Sequence, residues 1–348
     1  MTRLRILRPD DWHLHVRDGA QLASVLPFTA RQFARAIIMP NLKPPVTTVA
    51  MAAAYRHRIL AAMPAGARFE PLMTLYLTDT TSPQEIRAAK GSGFVFGAKL
   101  YPAGATTHSD AGVTAIEKIY PALEAMQDCG LMFQVHGEVT DGDVDVFDRE
   151  RVFIDRILAK VVERFAGLRI VFEHATTREA VQFVKGARRG VGATITPQHL
   201  LLNRNAIFQG GIRPHNYCLP VLKREPDRQA LIEAATGDDS RFFLGTDSAP
   251  HARHTKETSC GCAGIFSAHA AIELYAEAFE QAGKLDRLEA FASERGADFY
   301  GLLRNREHIT LERAAWSPPP AYPFDKDELV PFRAGEQLAW RMVEERRA

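Results

Sequence analysis

What the chain has little of narrows its class first. Charge of one sign is not in excess: among 348 residues, Lys and Arg total 43 and Asp and Glu 42, a formal net charge of +1. Without a basic stripe there is no electrostatic footprint for nucleic acid or an anionic membrane. No window approaches the roughly 18 consecutive apolar residues of a membrane span. The opening stretch MTRLRILRPDDWHLHV is charged throughout and lacks the apolar core of a secretory signal. Cysteine is scarce, and Cys129, Cys218, Cys260 and Cys262 show no disulfide-framework spacing. These absences speak against an exported, disulfide-stapled or membrane-spanning chain, and the expected location is the cytoplasm. The expected partners are a small-molecule substrate and a second copy of the chain in a homodimer, with no nucleic acid and no membrane.

What is present is ordinary globular material, 46% hydrophobic and 24% charged. Short β-branched runs near 12–16, 35–39, 71–77, 95–101, 131–136, 169–174, 191–196 and 242–247 read as strands. Helical periodicity fills 48–63, 83–91, 112–128, 145–165, 177–186 and 223–236, with a long final helix over 266–302. Ser82-Pro83-Gln84-Glu85 reads as a helix start: Ser82 caps, Pro83 takes the first position and Glu85 completes a capping box. Near-continuous apolar strands alternating with helices argue for a parallel sheet covered by helices. Eight such units argue for an α/β fold closed into a (β/α)8 TIM barrel. No repeat, low-complexity segment or linker interrupts it, so one domain over 1–348 is expected. The least regular parts are 197–241 and a tail after 303, where Ser317-Pro318-Pro319-Pro320 is rigid and extended.

Histidine placement matters more than its count of twelve. His13 and His15 sit two apart in an apolar strand and share one face, which Arg17 continues if the strand extends. Trp12, Leu14 and Val16 are then expected to pack outward against helices. Two imidazoles at the carboxyl end of a barrel strand can form a metal pair, although two satisfied interior histidines are an equally plain reading. Lys99, His136, His174 and Asp247 each close an apolar strand: FGAKL, LMFQVH, RIVFEH and FFLGTD. Together they gather four imidazoles, an amine and a carboxylate at one rim, a donor set that suits zinc. A lysine there most simply pairs with an acid or a substrate carboxylate. A neutral amine can also add carbon dioxide, giving an anionic carbamate with two oxygens able to bridge two metals.

His13-Leu14-His15, Lys99, His136, His174 and Asp247, in this order, resemble the binuclear metal set of the amidohydrolase superfamily. The stretches RPDDWHLHVRDG, IIMPNLKPPVTT, GAKLYPAGATTHSD, FEHATT, TPQHLL and GTDSAPH resemble the single-function bacterial dihydroorotases in particular. The likeness runs from about residue 8 through the barrel and into VPFRAGE. It implies a metal-dependent hydrolase that reversibly cyclises N-carbamoyl-L-aspartate to L-dihydroorotate in pyrimidine biosynthesis. It implies two zinc ions per subunit: His13, His15 and Asp247 hold one, His136 and His174 the other, and carboxylated Lys99 bridges them with a hydroxide. The resemblance also implies Asp247 as the proton carrier. It implies that Arg17, Asn41 and His251 take the substrate's α-carboxylate, helped by backbone groups of Leu219 and Ala263, and that Thr106 and Thr107 lie in a loop, Pro102–Ala111, that closes over the substrate.

Residue chemistry agrees in part. Arg17 has the planar fork that grips a carboxylate with two bonds. Asn41 follows Pro40 at the same rim, where a turn-forming Asn is the plainer reading. His251 stands in a loop four residues beyond Asp247, where an exposed histidine is commoner than a ligand. GATTHSD has the small polar make-up of a lid, as do many surface loops. Cys218, Cys260 and Cys262 flank Leu219 and Ala263; Cys-Gly-Cys spacing permits a further metal site, but reduced thiols packed at the pocket wall fit better. The rival readings are a hydantoinase or allantoinase sharing the metal set, and a non-catalytic barrel keeping metals for assembly.

Overall fold

Residues 2–343 are described by the computed structural model. Met1 and residues 344–348, part of the domain expected over 1–348, lie outside the described residues. The chain opens with β1 (Arg3–Leu7), then lays down eight parallel strands: β2 (Asp11–Leu14), β3 (Arg35–Ile38), β4 (Glu70–Tyr76), β5 (Val95–Leu100), β6 (Met132–Val135), β7 (Ile170–Phe172), β8 (Val191–Ile195) and β9 (Phe242–Leu244). Each pairs with the next in sequence order through a helical crossover, the longest being the one from β8 to β9. The ring closes just beyond β9: the Asp247 amide donates to the His13 carbonyl at 2.9 Å, and the His15 amide to the Ser248 carbonyl at 3.1 Å. This is the α/β barrel the sequence predicts.

Strand periodicity builds two cores. One alternate face of the strands packs on the helices through Leu14, Val16, Met73, Phe133, Phe172 and Leu244. The other fills the barrel's lower interior with Ile37, Leu72, Met132, Val171 and Phe243, plugged by Tyr300. Trp12 belongs to this inner core, stacked on Tyr300 at 4.4 Å, and does not pack outward as expected. The reason is an irregularity in β2: between Asp11 and Leu14 its register against β3 slips, leaving an extra residue that breaks the strict alternation. His13 and Trp12 therefore both serve the interior, one above the other.

Helix Pro83–Gly91 starts as predicted, with Ser82 Oγ accepting from the Glu85 amide at 3.2 Å. Glu85 does not complete a capping box. Its carboxylate instead accepts at 2.6 Å from the amide of Val49, the first residue of the neighbouring helix Val49–Ala61. Helix Gly19–Gln32 was not anticipated, because Pro27 interrupts an otherwise apolar stripe of Leu22, Val25, Leu26 and Ala30. The expected helix over 266–302 is broken instead: Ala271–Gln281 stops just before Gly283, whose φ of +67° suits glycine alone at low cost, and helical turns resume at Leu285 and run on to Tyr300. The segment after 303 is also better ordered than an irregular tail. There β10 (His308–Glu312) joins β1 and β13 (Arg341–Val343) in an antiparallel sheet, and β11 (Tyr322–Phe324) pairs with β12 (Asp327–Leu329).

Candidate active site

The carboxyl ends of β2, β5, β6, β7 and β9 meet at one cavity. His13 and His15 come from the end of β2, and both Nε2 atoms face one oxygen of Asp247, at 3.3 and 3.1 Å. Ligand atoms of these three residues lie within 4.8 Å of one another. His174 follows β7 and His136 follows β6. Their rings continue the line, with centroids 5.0 Å apart from His13 to His174 and 4.9 Å from His174 to His136. Lys99, on β5, is fully buried close beneath, its ammonium nitrogen 5.3 Å from the Tyr101 ring. Arg17, His174 and Asp247 have φ of 59°, 42° and 46°, left-handed backbone that a non-glycine residue adopts only where its surroundings enforce it. At His174 and Asp247 this twist turns the side chain over the mouth of the barrel.

The donor set fits a divalent metal, on its own geometry. Each of two imidazoles has one nitrogen engaged from behind. Glu173 meets His13 Nδ1 at 2.9 Å, and Glu138 meets His136 Nε2 at 2.8 Å. That is the carboxylate–histidine pairing that fixes the orientation of a ligating imidazole. His174 Nδ1 and Lys99 Nζ are buried without any hydrogen-bond partner, an arrangement that costs free energy unless something else answers it. Burial pushes His15 down to about 4 and lowers His136 and His174 as well, so these three are neutral and ready to ligate. His13 is different. Burial and Lys99 press it down, but Glu173 and Asp247 together raise it, so a metal and a proton compete for its Nε2. Burial would raise Asp247, yet the His13 and His15 imidazoles beside it hold it well below the usual carboxylate range. Burial pulls Lys99 down to about 8, which enlarges the share of neutral, nucleophilic amine.

Facing the histidines across the cavity are Arg17, Asn41 and His251, all buried or nearly so. Arg17 donates from Nε to the Pro250 carbonyl at 2.7 Å, and its Nη2 lies 3.0 Å from His251 Nε2. Burial first, then Arg17, keep His251 well below its ordinary value, so its Nε2 accepts from the guanidinium. Gly264 underlies His251: a Cβ there would stand 2.6 Å from the Ala249 carbonyl and 2.8 Å from the imidazole, so only glycine fits. The loop from Pro102 rises over the cavity and returns at Val113, where the Val113 amide donates to the Tyr101 carbonyl at 2.9 Å. Its crown is held by long bonds only. Asn41 donates to the Thr107 carbonyl at 3.4 Å, and the Thr107 hydroxyl to the Ala263 carbonyl at 3.4 Å. With the loop down, about 30 Å³ of water-accessible space remains, room for roughly one water.

The cavity wall thus contains His13, His15, Arg17, Asn41, Thr106, Thr107, His136, His174, Asp247, His251 and Ala263, with Lys99 beneath. Leu219 is half-buried outside that wall. Several residues of the site were not singled out in the sequence. Tyr101 lines the cavity, and Glu138 and Glu173 back the imidazoles. Asp11 ties β2 to the approach to Asp247 by accepting from the Thr246 amide at 2.9 Å and hydroxyl at 2.6 Å. Strand alternation assigns Glu173 to the face opposite His174. Because β7 ends at Phe172 and His174 is left-handed, both reach the site. Cys218, Cys260 and Cys262 are all free thiols, and the described residues hold no cysteine metal cluster.

Residues 10–316 match the model of the amidohydrolase family. Over 344 residues the chain is 66% identical to a dihydroorotase of Azoarcus sp. (strain BH72), covering 99% of this chain and 100% of that one. Among solved structures, a dihydroorotase from Campylobacter jejuni superposes with a TM-score of 0.90 at 36% identity, over 99% of this chain and 98% of that one. A dihydroorotase from Saccharomyces cerevisiae in complex with 5-fluoroorotic acid gives 0.91 at 33% identity, over all of both chains.

Proposed function

The chain belongs to the amidohydrolase family and, within it, to the dihydroorotases, and from that premise we propose that it closes N-carbamoyl-L-aspartate to L-dihydroorotate, and reopens it, in pyrimidine biosynthesis. The observation that carries the reading is the two-ended cavity, with a buried His/Asp/Lys donor set at one end and an Arg–His–Asn cluster suited to a carboxylate at the other. His13, His15 and Asp247 would hold one zinc, His136 and His174 a second, and carboxylated Lys99 would join them. Lys99 suits carboxylation because its amine is buried, unpartnered and partly neutral.

When bound, such a metal pair polarises the reacting carbonyl and lowers the pKa of water from about 15.7 towards about 7. The protein does the rest. Arg17 and His251 grip the substrate's α-carboxylate and Asn41 adds a third bond, which orients the ring amide towards the histidine end. Asp247, facing two imidazoles, takes the proton of the attacking water and delivers it to the ring nitrogen as the amide bond breaks. In the cyclising direction the same carboxylate takes the proton from the carbamoyl nitrogen as that bond forms and gives it to the oxygen that leaves the side-chain carboxyl as water. Thr106 and Thr107 come down with their loop and exclude bulk water. Hydantoin and allantoin lack the carboxylate that Arg17 would meet, so the same site serves them poorly.

We read residues 1–348 as one domain, working as a homodimer in the cytoplasm. Among the described residues no helix is long and apolar enough to cross a membrane. Turnover of L-dihydroorotate, hydantoin and allantoin by zinc-loaded and chelated protein tests the function. Metal-dependent turnover of dihydroorotate well above the other two is expected. Faster hydantoin turnover, or a chelated protein of full activity, would overturn it.

A further inference from the structure

Lys256 is buried behind the Arg17–His251 cluster, in the short helix Arg253–Lys256, and takes no part in the chemistry above. Its ammonium donates to three backbone carbonyls: Gly264 at 2.6 Å, Cys262 at 3.0 Å and Tyr217 at 3.1 Å. All three of its protons are used, and all go to neutral acceptors. No carboxylate among the described residues pairs with it. The three carbonyls belong to two separate stretches. Cys262 and Gly264 flank Ala263, whose own carbonyl receives the Thr107 hydroxyl. Tyr217 stands two residues before Leu219, and its carbonyl also receives the Gly264 amide at 3.0 Å.

A desolvated cation with no carboxylate partner is costly to fold around: burial lowers Lys256 to about 8, which still leaves most of it charged at neutral pH. The cost falls when an anion enters nearby. The ammonium stands close behind the carboxylate end of the cavity: it bonds the carbonyl of Gly264, the residue that packs directly against the His251 ring, and burial first, then Arg17 and Lys256, push His251 down. We propose that Lys256 is a positioning residue for the substrate's carboxylate: it pins the Ala263 and Tyr217 stretches to each other and leaves a buried positive charge that the bound carboxylate answers. This rests on the dihydroorotase reading. It differs from a simple structural tie in requiring charge, and in acting on substrate binding more than on the chemical step.

The test is steady-state kinetics on metal-replete enzyme, with L-dihydroorotate in one direction and N-carbamoyl-L-aspartate in the other. Lys256→Met should raise KM roughly tenfold to a hundredfold, the range for losing a bond to a charged group, with kcat within about threefold. Lys256→Gln, which keeps two donors but no charge, guards against a Met variant that does not fold and should show the same split. Lys256→Arg keeps the charge and should return KM to within about threefold of wild type. A KM unchanged in the neutral variants, or a kcat that falls as far as KM rises, would overturn the proposal. A wild type that does not turn over dihydroorotate sinks the functional reading instead, so the two failures are told apart.

Discussion

At the histidine end of the cavity, almost every side chain is carried within two residues of the end of a barrel strand. At the carboxylate end, Thr107, His251 and Ala263 ride on loops at least seven residues from the nearest strand end, and Asn41 stands three residues beyond β3. The first set is held by the parallel ladder itself and by buried carboxylates at 2.8 and 2.9 Å. The second mixes short ties, such as Arg17 to the Pro250 carbonyl at 2.7 Å and the Gly264 amide to the Tyr217 carbonyl at 3.0 Å, with contacts of 3.4 Å at Thr107. The division of labour follows from this. Metal ligation needs fixed distances, which a ladder provides, whereas a substrate must enter and leave, which weakly tied loops allow. Damage to the strand-borne end should therefore be close to all-or-none, and damage to the loop-borne end graded.

The largest effect is expected at Lys99. Lys99→Ala removes the one group that could become an anionic bridge, so most bound metal and nearly all activity should go, with a little restored by added short carboxylic acids. Metal analysis and turnover decide it: a variant with two zincs and normal rates would end the bridging role. Asp247→Asn comes next. It should keep the fold and the shape but remove the proposed proton acceptor, and turnover should drop by roughly 10²–10⁴. Near-normal rates across the pH range would show that another group moves the proton.

The same contrast explains what could be read in the sequence. His13, His15, Lys99, His136, His174 and Asp247 were legible because each follows an apolar run, and strand geometry sends such residues to one rim. The runs themselves lie within a few residues of the observed strands. Asn41, His251 and Ala263 carry no such signal, and only the resemblance to a family pointed to them. Trp12 and Glu173 were misplaced or missed for a single physical reason. Period-two alternation fails at a bulge in β2 and at a left-handed residue after β7. Helix Gly19–Gln32 was hidden by Pro27, and the sheet of β1, β10 and β13 by pairing between the two ends of the chain. Such long-range pairing leaves no local pattern to read.

Arg17 is the cation of the loop-borne end. It lies three residues beyond β2, and its guanidinium makes two bonds within the protein, to Pro250 and His251. Arg17→Met should cost on the order of 2–5 kcal/mol in kcat/KM, as truncating one partner of a desolvated pair does. Analogues with the carboxylate esterified should lose far less between wild type and variant. Equal losses would dissolve the carboxylate assignment. Glu173 offers the milder counterpart on the strand-borne side. It touches His13 from behind without lining the cavity, so Glu173→Gln should weaken metal affinity or activity by about 10–100-fold. Zinc titration of the apo-protein reads this directly, and an unchanged affinity would mean that the ladder alone orients His13.

The smallest effect is expected in the loop Pro102–Ala111, and it is the most direct test of graded behaviour. The loop's root is fixed by backbone bonds to Val113, while its crown rests on Asn41 and Ala263 through bonds of 3.4 Å. Bonds that long contribute little, so the closed position should lie only slightly below the open one in the free enzyme. Substrate changes that balance if the two threonine hydroxyls bond to it, because each added bond is then made only when the loop is down. Inside the loop, the Ser109 hydroxyl donates to the Thr106 carbonyl at 2.6 Å and accepts from the Thr106 amide at 2.9 Å. The crown therefore keeps its shape without the threonine side chains. Thr106→Ala combined with Thr107→Ala should leave folding and zinc content as they are, and lower turnover by roughly tenfold, the worth of two ordinary hydrogen bonds. Deleting the crown should cost more, since water exclusion goes with it. Kinetics on metal-replete protein separates the cases, and a double variant of full activity would reduce the segment to a surface turn.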